Sequence, residues 1–194
     1  MSAEDQDPID RLSRALDQTG EIISRVRPDQ ATLPTPCSAW DVRALIDHLL
    51  HDLRQFTARA SGVTPDPEDT GAIGDDGTGP YREAADRLLA AWRAGGDLDR
   101  TVELPIGQVP ATWILGQHVA DVVVHGWDLA KATGQSTDLD PELGQFSLDW
   151  ATESLKPEFR GDEESGRSFG PEVPVDVDAP LYDRLAGFFG RSPD

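Results

Sequence analysis

The stretch from Gln117 to Gly134, QHVADVVVHGWDLAKATG, constrains the fold more than any other part of the chain. Arranged as an α-helix at about 100° per residue, it is apolar around most of its circumference. A helix of this kind is usually buried, so other elements must surround it. Five of its polar residues share one arc, roughly 100° wide, that holds no Lys, Glu or Arg: Gln117, His118, Asp121, His125 and Asp128. Such an arc is either the helix's window to solvent or a binding site.

Two residues of this arc could act on one ion. Asp121 and His125 are spaced i and i+4, so their side chains lie on the same helical face, one turn apart. A third donor comes from an earlier helix, predicted over residues 39–60. There His48 lies at the edge of the apolar stripe, whereas His51 lies almost opposite its centre and is expected to meet solvent.

Helical periodicity recurs along the chain and predicts the fold. Ser38 and Asp140 are the expected N-caps of the second and fifth helices. Residues 100–110 alternate like a short strand or hairpin, and residues 61–80 indicate a long loop. The predicted helical segments are residues 7–27, 39–60, 81–94, 110–134 and 141–155, with a short amphipathic piece at 181–189. We expect an all-α, antiparallel four-helix bundle with a short extra helix and an irregular C-terminal tail. It forms one domain, 1–194, with a bundle core at 5–155 and the tail 156–194 packed on it.

Composition narrows the classes of function. The chain has 194 residues and a formal net charge of −19, so its own field would repel nucleic acid and anionic membranes. No run approaches the ~18 to 20 apolar residues of a membrane span, and the acidic start does not resemble a signal peptide. Cys37 is the only cysteine, which excludes an internal disulfide and fits a reducing, cytoplasmic compartment. Lysine is present only at Lys131 and Lys156, a bias towards arginine that suggests a GC-rich genome, for instance an actinobacterial one.

His48, Asp121 and His125 form the donor set that we single out. Two imidazoles and one carboxylate suit a divalent transition metal: zinc first, with nickel, iron or manganese as alternatives. Three protein ligands leave a position open for water or substrate, as in catalytic rather than structural sites. On spacing alone, structural histidines with an exposed ion pair are as compatible with the sequence as a metal site.

Other candidate residues fit simpler roles. His118 is either a fourth or alternative ligand or an ordinary polar position, and the second is favoured. Cys37 precedes His48 by eleven residues, roughly 16 Å along one helix, so we interpret it as a packing residue that cannot join the same ion. The tryptophans are expected at helical core positions: Trp40, Trp92, Trp113, Trp127 and Trp150. No catalytic base can be named from the sequence.

Three runs carry a resemblance to a known family: LPTPCSAWDVRALIDHLL, ADVVVHGWDLAKATGQ and the tail FGPEVPVDVDAPLYDRLAGFFGR. They are similar to the DinB-like proteins related to mycothiol-dependent maleylpyruvate isomerase, and more narrowly to an actinobacterial metal-binding branch. The resemblance spans nearly the whole chain. It implies a DinB-like bundle that holds a divalent metal through one His and a later carboxylate-x3-His pair, here His48, Asp121 and His125.

Two departures from the isomerase matter. Asp121 stands where the resemblance implies Glu, one methylene longer, so metal identity or affinity can differ. The isomerase also carries a separate α/β C-terminal domain with a substrate-binding arginine, and the residues after Lys156 are too few for it. Maleylpyruvate isomerisation itself is therefore not expected. What the resemblance retains is a thiol, mycothiol, that binds the open metal position as thiolate and attacks an electrophile.

We therefore expect a cytoplasmic, metal-dependent enzyme: a mycothiol-dependent transferase or isomerase acting on a small electrophile, with residues 61–80 shaping the pocket mouth. The alternative is a non-catalytic metal-binding or structural bundle, and a weaker third reading is a metal-free dimerisation module. The expected partners are a small-molecule thiol and an electrophilic substrate. Bundle relatives commonly form homodimers, which this chain is compatible with.

Overall fold

The helix that the sequence predicts to be enclosed is packed on several sides. The computed structural model describes residues 6–38, 40–65, 77–96, 98–104, 107–157, 160–161 and 170–193. In this part of the chain, helix α4 (Ala111–Thr133) contacts the helices α1 (Pro8–Ser24), α2 (Val42–Ala60), α5 (Pro141–Ser154) and α6 (Leu181–Phe188). Neighbours on several sides explain why most of α4 is buried and why its sequence is apolar almost all round.

A four-helix bundle surrounds the core. Helix α3 (Thr78–Gly95) packs against α1 and α2, and α4 packs against the same two helices, so the order around the bundle is α1, α3, α2, α4. Helices α5 and α6 lie outside it, against α4 and each other. The prediction of an all-α four-helix bundle is confirmed. Residues 100–110 contain an antiparallel hairpin of β1 (Thr101–Leu104) and β2 (Gly107–Pro110). Over the described ranges, no helix combines the length and apolar character required to cross a bilayer.

The start of α2 differs from the prediction. The sequence favours Ser38 as N-cap and a helix from residue 39, but α2 begins at Val42. Asp41 is the N-cap, and its carboxylate accepts a hydrogen bond of 2.8 Å from the backbone N–H of Ala44. Ser and Asp are about equally good N-caps, so local preference did not distinguish the two positions. The predicted helix start is therefore wrong by about one turn.

The residues before α2 form a folded-back turn, which we call the 34–41 turn. Its ends, Pro34 and Asp41, are joined by an antiparallel bridge. Inside it the Thr35 hydroxyl lies 2.9 Å from the carbonyl oxygen of Cys37 and 2.8 Å from that of Trp40. Cys37 and Trp40 are therefore held on a short turn rather than on the axis of α2.

Close packing fixes α1 against α4. The Thr19 hydroxyl donates a hydrogen bond of 3.1 Å to the backbone carbonyl of Val122. Gly126 lies one turn further on, and a Cβ atom there would come within 2.6 Å of the Thr19 hydroxyl oxygen. A side chain at residue 126 would therefore have to displace the Thr19 hydroxyl from this hydrogen bond or push the two helices apart.

The C-terminal tail returns to α4. The Tyr182 hydroxyl of α6 donates to the carbonyl of Asp140, the residue that caps α5 as predicted. Before α6, the Val173 N–H donates to the carbonyl of Gly187. After α6 the chain turns inward, and Arg191 is buried beside α4 with 7% of its surface exposed. A cation from the end of the chain thus lies next to the polar arc.

The tryptophans divide into three groups. Trp92 and Trp127 are buried in the core, as predicted. Trp113 and Trp150 are half-buried and pack against each other, with ring centroids 5.3 Å apart. Trp40 belongs to the 34–41 turn, so the prediction of a helical core position is wrong for this residue.

Candidate metal centre

Helices α2 and α4 face each other through three pairs of side chains, which we call the α2–α4 ladder. The pairs are His48 with His125, Asp52 with Asp121, and Phe56 with His118. The His48 and His125 rings meet edge to face at a centroid distance of 5.1 Å. At the other end, the Phe56 and His118 rings stack at 3.8 Å. Since residue numbers rise along α2 and fall along α4 from pair to pair, the two helices are antiparallel.

The three donors singled out from the sequence meet at one end of this ladder. One ligand atom each from His48, Asp121 and His125 lies within 4.8 Å of the others. The His125 Nε2 atom is 3.6 Å from Asp121 Oδ1. Asp121 Oδ2 is buried and, among the described residues, has no hydrogen-bond partner. The geometry therefore converges on a point where one carboxylate oxygen lacks a partner.

The opposite side of the His125 ring is engaged by a buried ion pair. His125 Nδ1 lies 3.0 Å from Asp128 Oδ2, and the Asp128 side chain is fully buried. Arg191 donates to the same carboxylate oxygen from Nη2 at 3.0 Å, and from Nη1 to the carbonyl of Phe189 at 2.7 Å. A carboxylate that accepts a hydrogen bond from one ring nitrogen fixes the orientation of the imidazole and leaves the lone pair of the other nitrogen free to bind a metal. Asp128 therefore turns Nε2 towards Asp121.

Burial sets the charge state of the site. Desolvation lowers the pKa of His48 to about 4, and it raises the pKa values of Asp121 and Asp52 to about 6. Asp128 behaves differently: burial alone would raise its pKa, but the charges and hydrogen bonds of Arg191 and His125 together outweigh burial, and the pKa is lowered. At pH 7 His48 is neutral and Asp121 is ionised, which are the forms that bind a metal.

Cys37 is closer to the site than the sequence suggested. Its sulfur lies within 4.8 Å of donor atoms of His125 and Asp128. The prediction of about 16 Å along one helix is wrong because Cys37 belongs to the 34–41 turn and not to α2. Arg191 lies beside these groups: burial lowers its pKa, but the charges of Asp128, Cys37 and Asp121, together with the hydrogen bond to Asp128, outweigh burial and raise it.

Trp40, on the same turn, covers the donor set. Its ring stacks on His48 at a centroid distance of 4.2 Å with 21° between the planes. It also meets the His125 ring edge-on at 5.7 Å. An indole in this position limits how water approaches both imidazoles and restricts their rotation.

The two remaining histidines have unlike surroundings. His51 is half-exposed, which agrees with the prediction that it meets solvent on the side opposite the apolar stripe. His118 is only 1% exposed, and the interpretation as an ordinary polar position does not explain why this side chain is buried. Neither of its ring nitrogens has a hydrogen-bond partner among the described residues. Burial, followed by the charges of Arg59 and His48, lowers the pKa of His118 to about 3.

Sequence reasoning did not assign a role to three residues of the site: Asp52, Asp128 and Arg191. Two of them had a usable signal, because Asp52 follows His48 by four residues and Asp128 follows His125 by three, both same-face spacings. Arg191 gave none, since 63 residues separate it from its partner.

A family model and two curated proteins are similar to this chain in sequence. The family model described as "Mycothiol maleylpyruvate isomerase N-terminal domain" matches residues 12–130. Two uncharacterized proteins of Mycobacterium tuberculosis, from strains CDC 1551 / Oshkosh and ATCC 25618 / H37Rv, are each 37% identical to the chain over 187 residues. Each of these matches covers 96% of this chain and 98% of the relative. The relatives are therefore similar along nearly their whole length.

Solved structures extend the likeness to the fold. The crystal structure of the mycothiol-dependent maleylpyruvate isomerase superposes with a TM-score of 0.68 at 19% identity, covering 100% of this chain and 93% of that chain. A histidine-to-alanine mutant of the isomerase gives a TM-score of 0.61 at 18% identity, with 96% and 90% covered. A match that reaches across 93% of the isomerase chain removes the length argument against a counterpart of its C-terminal part.

Proposed function

The chain belongs to the mycothiol maleylpyruvate isomerase N-terminal domain family, and we propose that it is a metal-dependent enzyme that uses mycothiol on a small electrophile. The reaction is an isomerisation or a group transfer. The observation that carries the proposal is the convergence of His48, Asp121 and His125 around a buried carboxylate oxygen that has no partner among the described residues. We propose zinc as the first metal to test and the cytoplasm as the compartment, since a reactive thiol needs a reducing one.

The donor set fits a divalent transition metal. Two imidazoles and a carboxylate are the ligand types of catalytic zinc sites, and three protein ligands leave a position for a small molecule. A buried carboxylate oxygen without a partner is costly unless something binds it. His48 is neutral because burial lowers its pKa to about 4, so its ring does not carry a competing proton at pH 7.

A metal held there supplies the chemistry of a Lewis acid, which lowers the pKa of a bound thiol or polarises a carbonyl. The protein's own residues supply position and surroundings. Asp128 orients His125 through Nδ1, and Arg191 keeps Asp128 ionised. Trp40 shields the His48 ring from bulk water on one side. A thiolate in such a partly dry site is a stronger nucleophile than one in water.

Asp52 is suited to hold a proton near the open position. Its Oδ2 atom lies 3.5 Å from His48 Nε2, and its side chain is 23% exposed. Burial raises its pKa to about 6. A carboxylate of that basicity can accept a proton from an incoming thiol and return it to a product at neutral pH.

The test begins with the metal content of the purified protein. The zinc-loaded protein is then mixed with mycothiol and maleylpyruvate, the compound in the name of the solved relative. We expect a saturable, thiol-dependent loss of maleylpyruvate that stops when a chelator removes the metal. The fate of the thiol separates the two reaction types: an isomerase returns it unchanged, whereas a transferase leaves it joined to the product by a new carbon–sulfur bond.

Two outcomes would contradict this proposal. Protein that binds zinc but removes no maleylpyruvate in the presence of mycothiol would favour the alternative of a non-catalytic metal-binding bundle. Protein that binds no divalent metal at pH 7 would exclude both roles and favour a structural one.

A further inference from the structure

His118 is a buried polar side chain whose hydrogen-bonding capacity is unused. It is 1% exposed, and neither ring nitrogen has a partner among the described residues. A neutral imidazole offers one donor and one acceptor, and leaving either unmet in the interior costs free energy. Buried polar groups without a protein partner are satisfied by water or by a ligand. The ring nitrogens therefore need a hydrogen-bond partner, water or a ligand, that does not come from the described residues.

The position of His118 connects it to the candidate metal centre. It lies three residues before Asp121 on the same face of α4, which is about 4.5 Å along the helix axis. Its ring cannot swing away freely, because it is stacked flat on Phe56 at 3.8 Å with 9° between the planes. The ring is thus held at a fixed place one turn beyond the donor set.

The surroundings favour a neutral partner over an anion. Asp52 and Asp121 form the middle pair of the ladder, between His118 and the two metal-facing histidines, and both are carboxylates. Arg59 lies beyond Phe56, with its guanidinium carbon 5.4 Å from that ring. Burial and then the charge of Arg59 lower the pKa of His118, so the imidazole is uncharged at pH 7. A hydroxyl or amide oxygen suits an uncharged ring beside two aspartates better than a second carboxylate does.

We propose that His118 is a ligand-recognition residue that hydrogen-bonds a neutral oxygen of the thiol whose sulfur binds the metal held by His48, Asp121 and His125. This inference rests on the proposed function, since it takes the thiol sulfur to lie at the metal. It assigns His118 to specificity for the thiol and not to metal binding. The sulfur and the recognised oxygen would be separated by about one helical turn, which is about 5.4 Å.

A cycle of two ligands and two proteins tests the proposal without any turnover. The protein is loaded with cobalt(II), whose thiolate charge-transfer absorption reports thiol binding directly. The probes are 3-mercapto-1-propanol and 1-butanethiol, which differ in a hydroxyl against a methyl group. A hydroxyl both donates and accepts, so the comparison does not depend on the tautomer of His118.

The quantity compared is the ratio of the affinity for 3-mercapto-1-propanol to the affinity for 1-butanethiol. We expect this ratio to be about three- to tenfold larger in wild-type protein than in His118→Phe. Phenylalanine keeps the stack on Phe56 and removes both nitrogens. His118→Gln retains an amide donor and should keep part of the preference. The matched control His51→Gln should leave both the preference and the cobalt content unchanged.

The outcomes separate this inference from the proposed function. Equal preference in wild type and His118→Phe, with cobalt and thiolate absorption intact in both, would overturn the role of His118 and leave the proposed function standing. Absence of thiolate absorption in the cobalt-loaded wild type would overturn both. If His118→Phe does not fold, the wild type still decides: the ¹⁵N signals of the His118 ring in zinc-loaded protein should shift with 3-mercapto-1-propanol and not with 1-butanethiol. Identical shifts would reject the proposal.

Discussion

The two ring nitrogens of His125 have different surroundings: the carboxylate beside Nδ1 is paired with an arginine, whereas the carboxylate beside Nε2 is not, among the described residues. On the Nε2 side lies the open donor set, His48, Asp121 and His125; on the Nδ1 side lies the closed donor set, Cys37, His125 and Asp128. Both sets bring three ligand-type atoms within 4.8 Å. In the closed set Arg191 already donates to Asp128 at 3.0 Å. In the open set Asp121 Oδ2 is buried with no partner among the described residues.

This difference shows that donor spacing alone does not identify a metal site. A divalent ion in the closed set would have to displace the Arg191 guanidinium from a fully buried carboxylate, which would leave a buried cation unpaired. Among the described residues no Lys or Arg is paired with Asp121, so an ion in the open set would displace none of them and would satisfy the unpaired oxygen of Asp121. The balance of charge, rather than the distances, makes the open set the candidate metal site. The closed set instead holds the His125 ring in place.

The largest effect is expected from removing an imidazole of the open set. His48→Ala and His125→Ala should each weaken zinc binding by more than the 10- to 100-fold that loss of an outer-shell partner typically costs. Elemental analysis after dialysis measures this, with helical circular dichroism to verify the fold. His51→Ala is the matched control and should retain the metal. Unchanged zinc content in both site variants would show that the open set is not the ligand set.

Next in size is the stability that the closed set contributes. Arg191→Met leaves the fully buried Asp128 without its cation and should lower the free energy of unfolding by about 3–5 kcal/mol. The matched control is Arg14→Met, because Arg14 pairs with Asp140 and Glu142 where the side chains are 36%, 28% and 70% exposed. We expect about 1 kcal/mol or less for that surface pair. Urea unfolding compares the two, and equal losses would contradict a structural role for Arg191.

A smaller effect should appear in the pH dependence of zinc affinity. A metal competes with the proton of Asp121, whose pKa burial raises to about 6, so apparent affinity should fall about tenfold per pH unit below pH 6. His48 adds nothing until about pH 4, because burial lowers its pKa to that value. Competition with a chromophoric chelator at pH 7, 6 and 5 measures this.

The control for the pH experiment is Asp52→Asn. It removes a neighbouring negative charge that contributes to the raised pKa of Asp121, after burial and the opposing charge of His125. The fall in affinity should then begin at lower pH. A steep loss between pH 7 and 6.5 would instead indicate that an imidazole of the open set takes up the competing proton, and would contradict Asp121 as the first ligand to be protonated.

The open set was predictable from sequence because it depends on helical periodicity. His48 and the Asp121–His125 pair lie on long helices, where residue number fixes the face on which a side chain stands. An apolar sequence around α4 predicted its burial, and burial with a polar arc predicted a site. Element type and face were therefore readable, although the exact start of α2 was not.

The closed set was not predictable because it depends on chain segments without periodicity. Cys37 reaches Asp128 only through the 34–41 turn, whose path is fixed by the Thr35 contacts with two carbonyls. Arg191 comes from the end of the chain, and no local rule links it to a residue 63 positions earlier. The single-domain organisation over residues 1–194 stays a prediction.

The smallest expected effect is also the most direct test of the comparison. Cys37→Ser replaces the sulfur with a smaller atom that binds zinc far more weakly. If the closed set is filled by Arg191, this change should alter zinc affinity by less than about twofold, since Cys37 is then no ligand. The same titration on Asp121→Asn should show a large loss. A marked fall in Cys37→Ser, with Asp121→Asn close to wild type, would mean that the ion displaces Arg191 and occupies the Nδ1 side of His125, so that charge balance would not be what selects between the two sets.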